Sequence, residues 1–144
     1  MTLKSKVALI TGSTSGIGLG IARALAAQGA DIMLNGFGDA AAIERLRAGF
    51  ETEHGVRGRY CGADLGIPAD VTRLIGETEQ SLGSLDILVN NAGIQFTAPV
   101  AEFPDERWDA VIAINLSAVF HATKAAIPLM QRRGWGRIIN IASA

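Results

Sequence analysis

One cysteine, one tyrosine, two histidines and three lysines are all that 144 residues hold of these side chains, and each scarcity removes a class of function. Cys61 has no partner for an internal disulfide, and in an apparent strand it reads as a small buried hydrophobe. His54 and His121 have no companion at metal-ligand spacing, so no metal site is expected. The net charge is only -1, and the basic residues are scattered rather than grouped. Nothing in that pattern recruits nucleic acid or an anionic membrane. The first apolar run, residues 7–10, is too short for a signal-peptide core or a membrane span. Together with the unpaired cysteine, this leads us to expect a cytoplasmic protein.

What the chain has in quantity is apolar residues, 49%, and glycine, 17 in all. Such a composition suits one compact domain with a real core, spanning residues 1–144. Its organising stretch is Lys-Val-Ala-Leu-Ile-Thr-Gly-Ser-Thr-Ser-Gly-Ile-Gly, residues 6–18. A short β-branched apolar run reads as a strand buried on both faces, followed at once by a glycine-rich turn and a helix. Gly12 permits a tight exit, Gly16 keeps bulk away from a ligand, and Gly18 lets the helix lie close to the sheet. The first helical turn then offers free N–H groups and the positive end of a dipole, a seat for pyrophosphate. The spacing Gly12-x-x-x-Gly16-x-Gly18 is one residue longer than the commoner G-x-G-x-x-G fingerprint.

Strands and helices alternate along the rest of the chain. Ile17, Ile21 and Leu25 predict the helix face that meets the sheet. A second strand is expected over residues 30–34, then a helix with Ile43, Leu46 and Phe50 inward. A third strand over 57–61 precedes a helix that opens at Pro68 and buries Val71, Leu74, Ile75, Thr78 and Leu82 before Gly83. The fourth strand, 85–89, delivers Asn90-Asn-Ala-Gly93. A short helix from Asp105 to about Ile114, a separate long helix over 116–132 with a kink at Pro128, and a fifth strand over 137–142 complete the pattern. Right-handed crossovers make this a doubly wound parallel sheet of α/β class, with ligand sites at the carboxyl ends of the strands.

At those ends the residues carry alternatives. Phe37 either covers an adenosine or tucks onto the next helix. Asp64 either accepts from an adenine amino group or caps a helix, and Asn90 and Asn91 bridge strand ends. Asn115 is either the cap of the long helix or a polar group inside the site. No arginine or lysine occurs in Asn35-Gly36-Phe37, and Ser15 is uncharged, which favours NAD over NADP.

Together, Thr11-Gly-x-x-x-Gly-x-Gly18, Asp64, Asn90-Asn-Ala-Gly93, Asn115 and Ile141-Ala-Ser143 resemble the short-chain dehydrogenase/reductase family, over the whole chain. Within it, residues 12–21, 34–40, 90–95 and 115–121 are similar to the branch that acts on D-3-hydroxybutyrate. The resemblance implies a Rossmann-type fold and NAD held by Gly12, Thr14, Ser15, Gly16, Ile17, Gly18, Phe37, Asp64, Leu65, Asn91, Ala92 and Gly93. It implies that Ser143 hydrogen-bonds the substrate oxygen, that Asn115 supports a water-linked proton relay, and that Gln95 helps to bind the substrate carboxylate. The partners it implies are a small hydroxy acid or its keto acid and further copies in a homotetramer, with the long helix at the interface.

The family's acid/base pair is a tyrosine with a lysine four residues on, in the helix after the strand that ends at Ser143. No Tyr-x-x-x-Lys occurs here: the tyrosine is Tyr60, and the lysines are Lys4, Lys6 and Lys124. The expectation is therefore the amino-terminal part of a dehydrogenase, without the family's last strands, inactive as it stands and prone to aggregate along its fifth strand. Two other readings stay open, a 3-oxoacyl thioester reductase of the same family and a non-catalytic nucleotide-binding fragment.

Overall fold

The computed structural model describes residues 2–143. Five parallel strands, β1 (Val7–Ile10), β2 (Asp31–Leu34), β3 (Gly58–Tyr60), β4 (Ile87–Asn90) and β5 (Arg137–Asn140), form one sheet in the order β3-β2-β1-β4-β5. Each strand is short and β1 is wholly buried, so its apolar run has no polar face to alternate with. Helices α1 (Gly16–Ala27) and α2 (Ala40–His54) cover one face, packing on Ala8, Ile10, Ile32 and Leu34. On the other face, α3 (Pro68–Leu82) and α5 (Ala118–Arg133) pack on Val7, Leu9, Met33 and Leu88. The alternation within β1 sends successive residues into the two cores, and each fully buried leucine or isoleucine contributes roughly 2 kcal/mol. Winding reverses between β1 and β4, and that is where a parallel sheet opens a crevice.

The five strands, the α2 face and the whole inner face of α3 follow the sequence pattern. Two expectations need correction. The residues of α1 that meet the sheet are Gly18, Ala22 and Ala26, whereas Ile17 is 70% exposed and Ile21 and Leu25 only flank the contact. Apolar periodicity picked out the larger side chains, but the close approach of the helix to β1 admits only small ones. The two helices expected after residue 105 are one continuous helix, Asp105–Arg133. α4 (Asp105–Ile112) runs through a π-helical segment, Ala113–Ser117, directly into α5. Asn115 therefore caps nothing and sits within a widened turn, a feature that often marks functional sites.

β5 is an edge strand, as β3 is at the other side, with Ile139 on it and Ile141 just after it exposed, and the long helix shows Trp108, Leu116 and Phe120 to solvent. Cys61 is buried, as a small hydrophobe would be, and burial pushes its thiol up from the ordinary value.

Candidate functional site

The loops after β1, β2, β3 and β4 meet around a cleft of about 340 Å³ at the carboxyl edge of the sheet. Its walls come from Gly12, Thr14 and Ser15, from Asn35, Gly36 and Phe37, from Ala63 and Leu65, and from residues 91–94, with Ile114 of the widened turn closing one side. Gly16, Ile17 and Gly18 follow at its rim as the first turn of α1, with Ser15 in extended conformation before them. Ser15 makes no side-chain cap, so the amino end of α1 has no acceptor from that side chain. Gly12 and Gly16 adopt φ of +62° and +59°, in the left-handed region that favours glycine. A Cβ on Gly16 would meet nothing within 4 Å, so the loop presents bare backbone to open space. A bare, donor-rich loop before a helix amino terminus fits a pyrophosphate.

The loops are held by side chains that spend their hydrogen bonds on protein. The Thr11 hydroxyl accepts from the amides of Asn91 (3.0 Å) and Ala92 (2.9 Å). Asn91 Nδ2 donates to the carbonyls of Thr11 (3.0 Å) and Gly12 (3.2 Å), and Asn90 Nδ2 donates to Asn140 Oδ1 at 2.9 Å. Both asparagines thus bridge strand ends, one between β4 and the glycine loop and the other between β4 and β5. Asp64 Oδ1 accepts from the Gly66 amide at 2.8 Å, and the Asp64 amide donates to Asp70 Oδ2 at 2.9 Å. Phe37 is 69% exposed, so it is not tucked onto α2.

Asn115 is not in the cleft wall but is tied to it. Its Oδ1 accepts from the Ile94 amide and its Nδ2 donates to the Ile94 carbonyl, both at 2.8 Å. The side chain pairs with the loop as one strand pairs with another, and the widened turn aims it there. Gln95 follows Ile94 and is exposed. Ser143 also lies outside the cleft wall, exposed and three residues beyond Asn140, which is in register with Asn90. It therefore stands on the same edge as the Asn90 loop.

Sequence reasoning missed Asn35. Its side chain is 1% exposed and fully used: Oδ1 accepts from the Gly12 amide, and Nδ2 donates to the carbonyls of Cys61 and Ala63. Its main chain exchanges hydrogen bonds with Ser13, which is also fully buried. One side chain so joins the ends of β1, β2 and β3. A polar residue closing a buried strand was the available signal, since such a group is retained only with partners. We expect Asn35→Ala to orphan three backbone groups and to cost about 3 kcal/mol. Denaturant unfolding checks this: the midpoint falls and the slope is unchanged.

The short chain dehydrogenase family model matches residues 6–144. The chain is 55% identical to a D-beta-hydroxybutyrate dehydrogenase of Cupriavidus necator, over 98% of this chain and 54% of that protein. It is 50% identical to one of Rhizobium meliloti, over 97% and 54% respectively. The chain thus spans about half the length of the curated relatives it matches. A short chain dehydrogenase of Burkholderia cenocepacia, crystallised with NADP, superposes with a TM-score of 0.91 at 34% identity. That match covers 100% of this chain and 58% of the other.

Proposed function

The chain belongs to the short chain dehydrogenase family, and on that premise we propose that it carries the dinucleotide-binding half of an enzyme interconverting D-3-hydroxybutyrate and acetoacetate. The observation that carries this reading is the bare glycine loop opening on the cleft between β1 and β4, in a chain 55% identical to a D-beta-hydroxybutyrate dehydrogenase. A nicotinamide dinucleotide, when bound, supplies the hydride acceptor or donor.

The chain's own residues would divide the binding as follows. The amides of Gly16, Ile17 and Gly18, with Thr14 and Ser15, hold the pyrophosphate at the start of α1. Phe37, Asp64 and Leu65 border the adenosine. Asn91, Ala92 and Gly93, kept in place by the Thr11 hydroxyl, lie along the nicotinamide ribose. Ser143 donates a hydrogen bond to the substrate's reacting oxygen, and Gln95 meets its carboxylate from the loop that Asn115 anchors. Asn115 lies in the π-helical turn Ala113–Ser117, a widened turn of the kind that often serves a site, and its part would be to support a water-linked proton relay. We assign NAD rather than NADP because no lysine or arginine lines the cleft, so a 2′-phosphate would enter with no counter-charge. The outward apolar residues Trp108, Leu116 and Phe120 support a homotetramer that packs through the long helix.

Titration of the chain with NAD and NADP tests the cofactor assignment, and tighter binding of NADP would overturn it. Assay of the protein expressed from the complete coding region tests the substrate: a preference for an acyl thioester over 3-hydroxybutyrate would overturn that part. Phe37→Arg places a guanidinium at the open rim of the adenosine end. It is expected to shift the NADP-to-NAD affinity ratio upward by about tenfold, read in the same titration.

A further inference from the structure

Tyr60 is the one tyrosine, and the proposed reaction gives it no part. It ends β3 opposite Leu34, and its hydroxyl donates to the carbonyl of Gly36, in the loop that forms the adenosine end of the cleft. Asp39 is committed to capping α2 through the Ala42 amide, and residues 35–38 offer no side chain free to reach ribose hydroxyls. Asn35 is spent on protein, Gly36 and Gly38 have none, and Phe37 is apolar. Recognition there falls to the backbone of residues 36–38 and to the exposed Phe37 ring, so the placing of that backbone decides affinity.

Two hydroxyls place it. Thr14 Oγ1 donates to the Phe37 carbonyl at 3.1 Å from the glycine loop, and Tyr60 holds the Gly36 carbonyl from β3. The surroundings are cut to fit this arrangement. Gly36 has φ +151°, and a Cβ there would run into Thr14 Oγ1. A Cβ on Gly62 would lie 2.8 Å from Tyr60 Oη, so its absence makes room for the hydroxyl. Burial pushes the phenol up from its ordinary value, which keeps it a donor through the neutral range.

We infer that Tyr60 is a positioning residue for the adenosine half of a dinucleotide: its hydroxyl fixes the Gly36 carbonyl and with it the Phe37 ring. This rests on the reading that the cleft takes a dinucleotide. Phenylalanine at position 60 keeps the ring in its packing and removes only the pin, while the Gly62→Ala methyl displaces the hydroxyl and leaves the tyrosine.

The chain is titrated with ADP-ribose by calorimetry in the cold, at low micromolar concentration, with circular dichroism to verify folding. Tyr60→Phe is expected to weaken ADP-ribose about fivefold, the worth of one ordinary hydrogen bond. Amide exchange in the strands of the sheet is unchanged, because their ladders do not involve the hydroxyl. Gly62→Ala weakens binding in the same direction. An ADP-ribose affinity in Tyr60→Phe within about twofold of wild type overturns the inference, because loss of a merely structural bond would lower stability without touching affinity. Faster exchange across the whole sheet overturns it too. Failure of the unaltered chain to bind ADP-ribose overturns the dinucleotide reading itself, so the two failures are distinguishable.

Discussion

A polypeptide of these 144 residues, mixed with NAD and D-3-hydroxybutyrate, is expected to bind the dinucleotide and to form no reduced nicotinamide. The expectation comes from what surrounds Ser143. Oxidation of an alcohol needs a group to take the hydroxyl proton, and a serine, whose hydroxyl ionises far above neutrality, does not serve alone. Tyr60 cannot stand in. It lies on β3 at one edge of the sheet, whereas Ser143 follows β5 at the other. Four strand spacings put them roughly 19 Å apart, and the Tyr60 hydroxyl is already engaged by Gly36. The lysines are no better placed. Lys4 and Lys6 precede β1, at the opposite end of the strands from the cleft, and Lys124 lies on an exposed part of α5. A positioned acid/base group contributes on the order of a hundredfold or more, and neither Tyr60 nor Lys4 or Lys6 is placed to supply it at Ser143. The check is the absorbance of reduced nicotinamide over hours, beside a binding titration on the same sample. Turnover of 3-hydroxybutyrate by this polypeptide would sink the expectation, whereas binding without turnover is its signature.

Most of the architecture could be read from the sequence because it is a matter of pattern. Short strand segments alternating with helices point to a doubly wound parallel sheet once crossovers are right-handed, and the structure sets its five strands in the order β3-β2-β1-β4-β5. The inner face of α3 was legible residue by residue, since an amphipathic helix on one face of a sheet repeats its pattern strictly. α1 was not, because its buried face is made of glycine and alanine, which periodicity of large apolar side chains cannot see. The continuity of α4 with α5 was hidden for a related reason. Asn115 in an apolar run looks like a helix start, and only three dimensions reveal a side chain that bonds sideways to Ile94 within an unbroken helix. Gly12, Thr14, Ser15, Phe37, Leu65 and residues 91–93 line the cleft and lie in the motifs, whereas Ile94 and Ile114 of its wall do not stand out in the sequence, and the parts of Thr11, Ser13 and Asn35 in holding its shape emerge from their partners. What pattern supplies is where the loops end up; what it omits is which polar groups are already spent.

Gly18→Ala is expected to abolish dinucleotide binding, while Gly20→Ala, two residues away on the same helix, leaves it untouched. Both substitutions exchange a helical glycine for a better helix former, so propensity alone would make each stabilising by about 0.5–1 kcal/mol. Their surroundings decide otherwise. A Cβ on Gly20 meets nothing within 4 Å, and the propensity gain stands. A Cβ on Gly18 would fall inside contact distance of the Gly12 carbonyl oxygen and of Asn91 Nδ2, neither of which is the loose end of a flexible chain. Gly12 is held by Asn35, and Asn91 by the carbonyls of Thr11 and Gly12. Relief therefore requires α1 to move off β1 or Asn91 to give up its bonds, and such overpacking costs about 1–3 kcal/mol before the broken hydrogen bonds are counted. Either movement spreads the glycine loop from the Asn91 loop, the two walls between which a dinucleotide would lie. We expect Gly18→Ala to lose about 3 kcal/mol of stability and more than a hundredfold in NAD affinity. Denaturant unfolding and NAD titration of the two variants side by side provide the check. Equal affinity in both would mean that the contact of Gly18 with Gly12 and Asn91 does not shape the cleft.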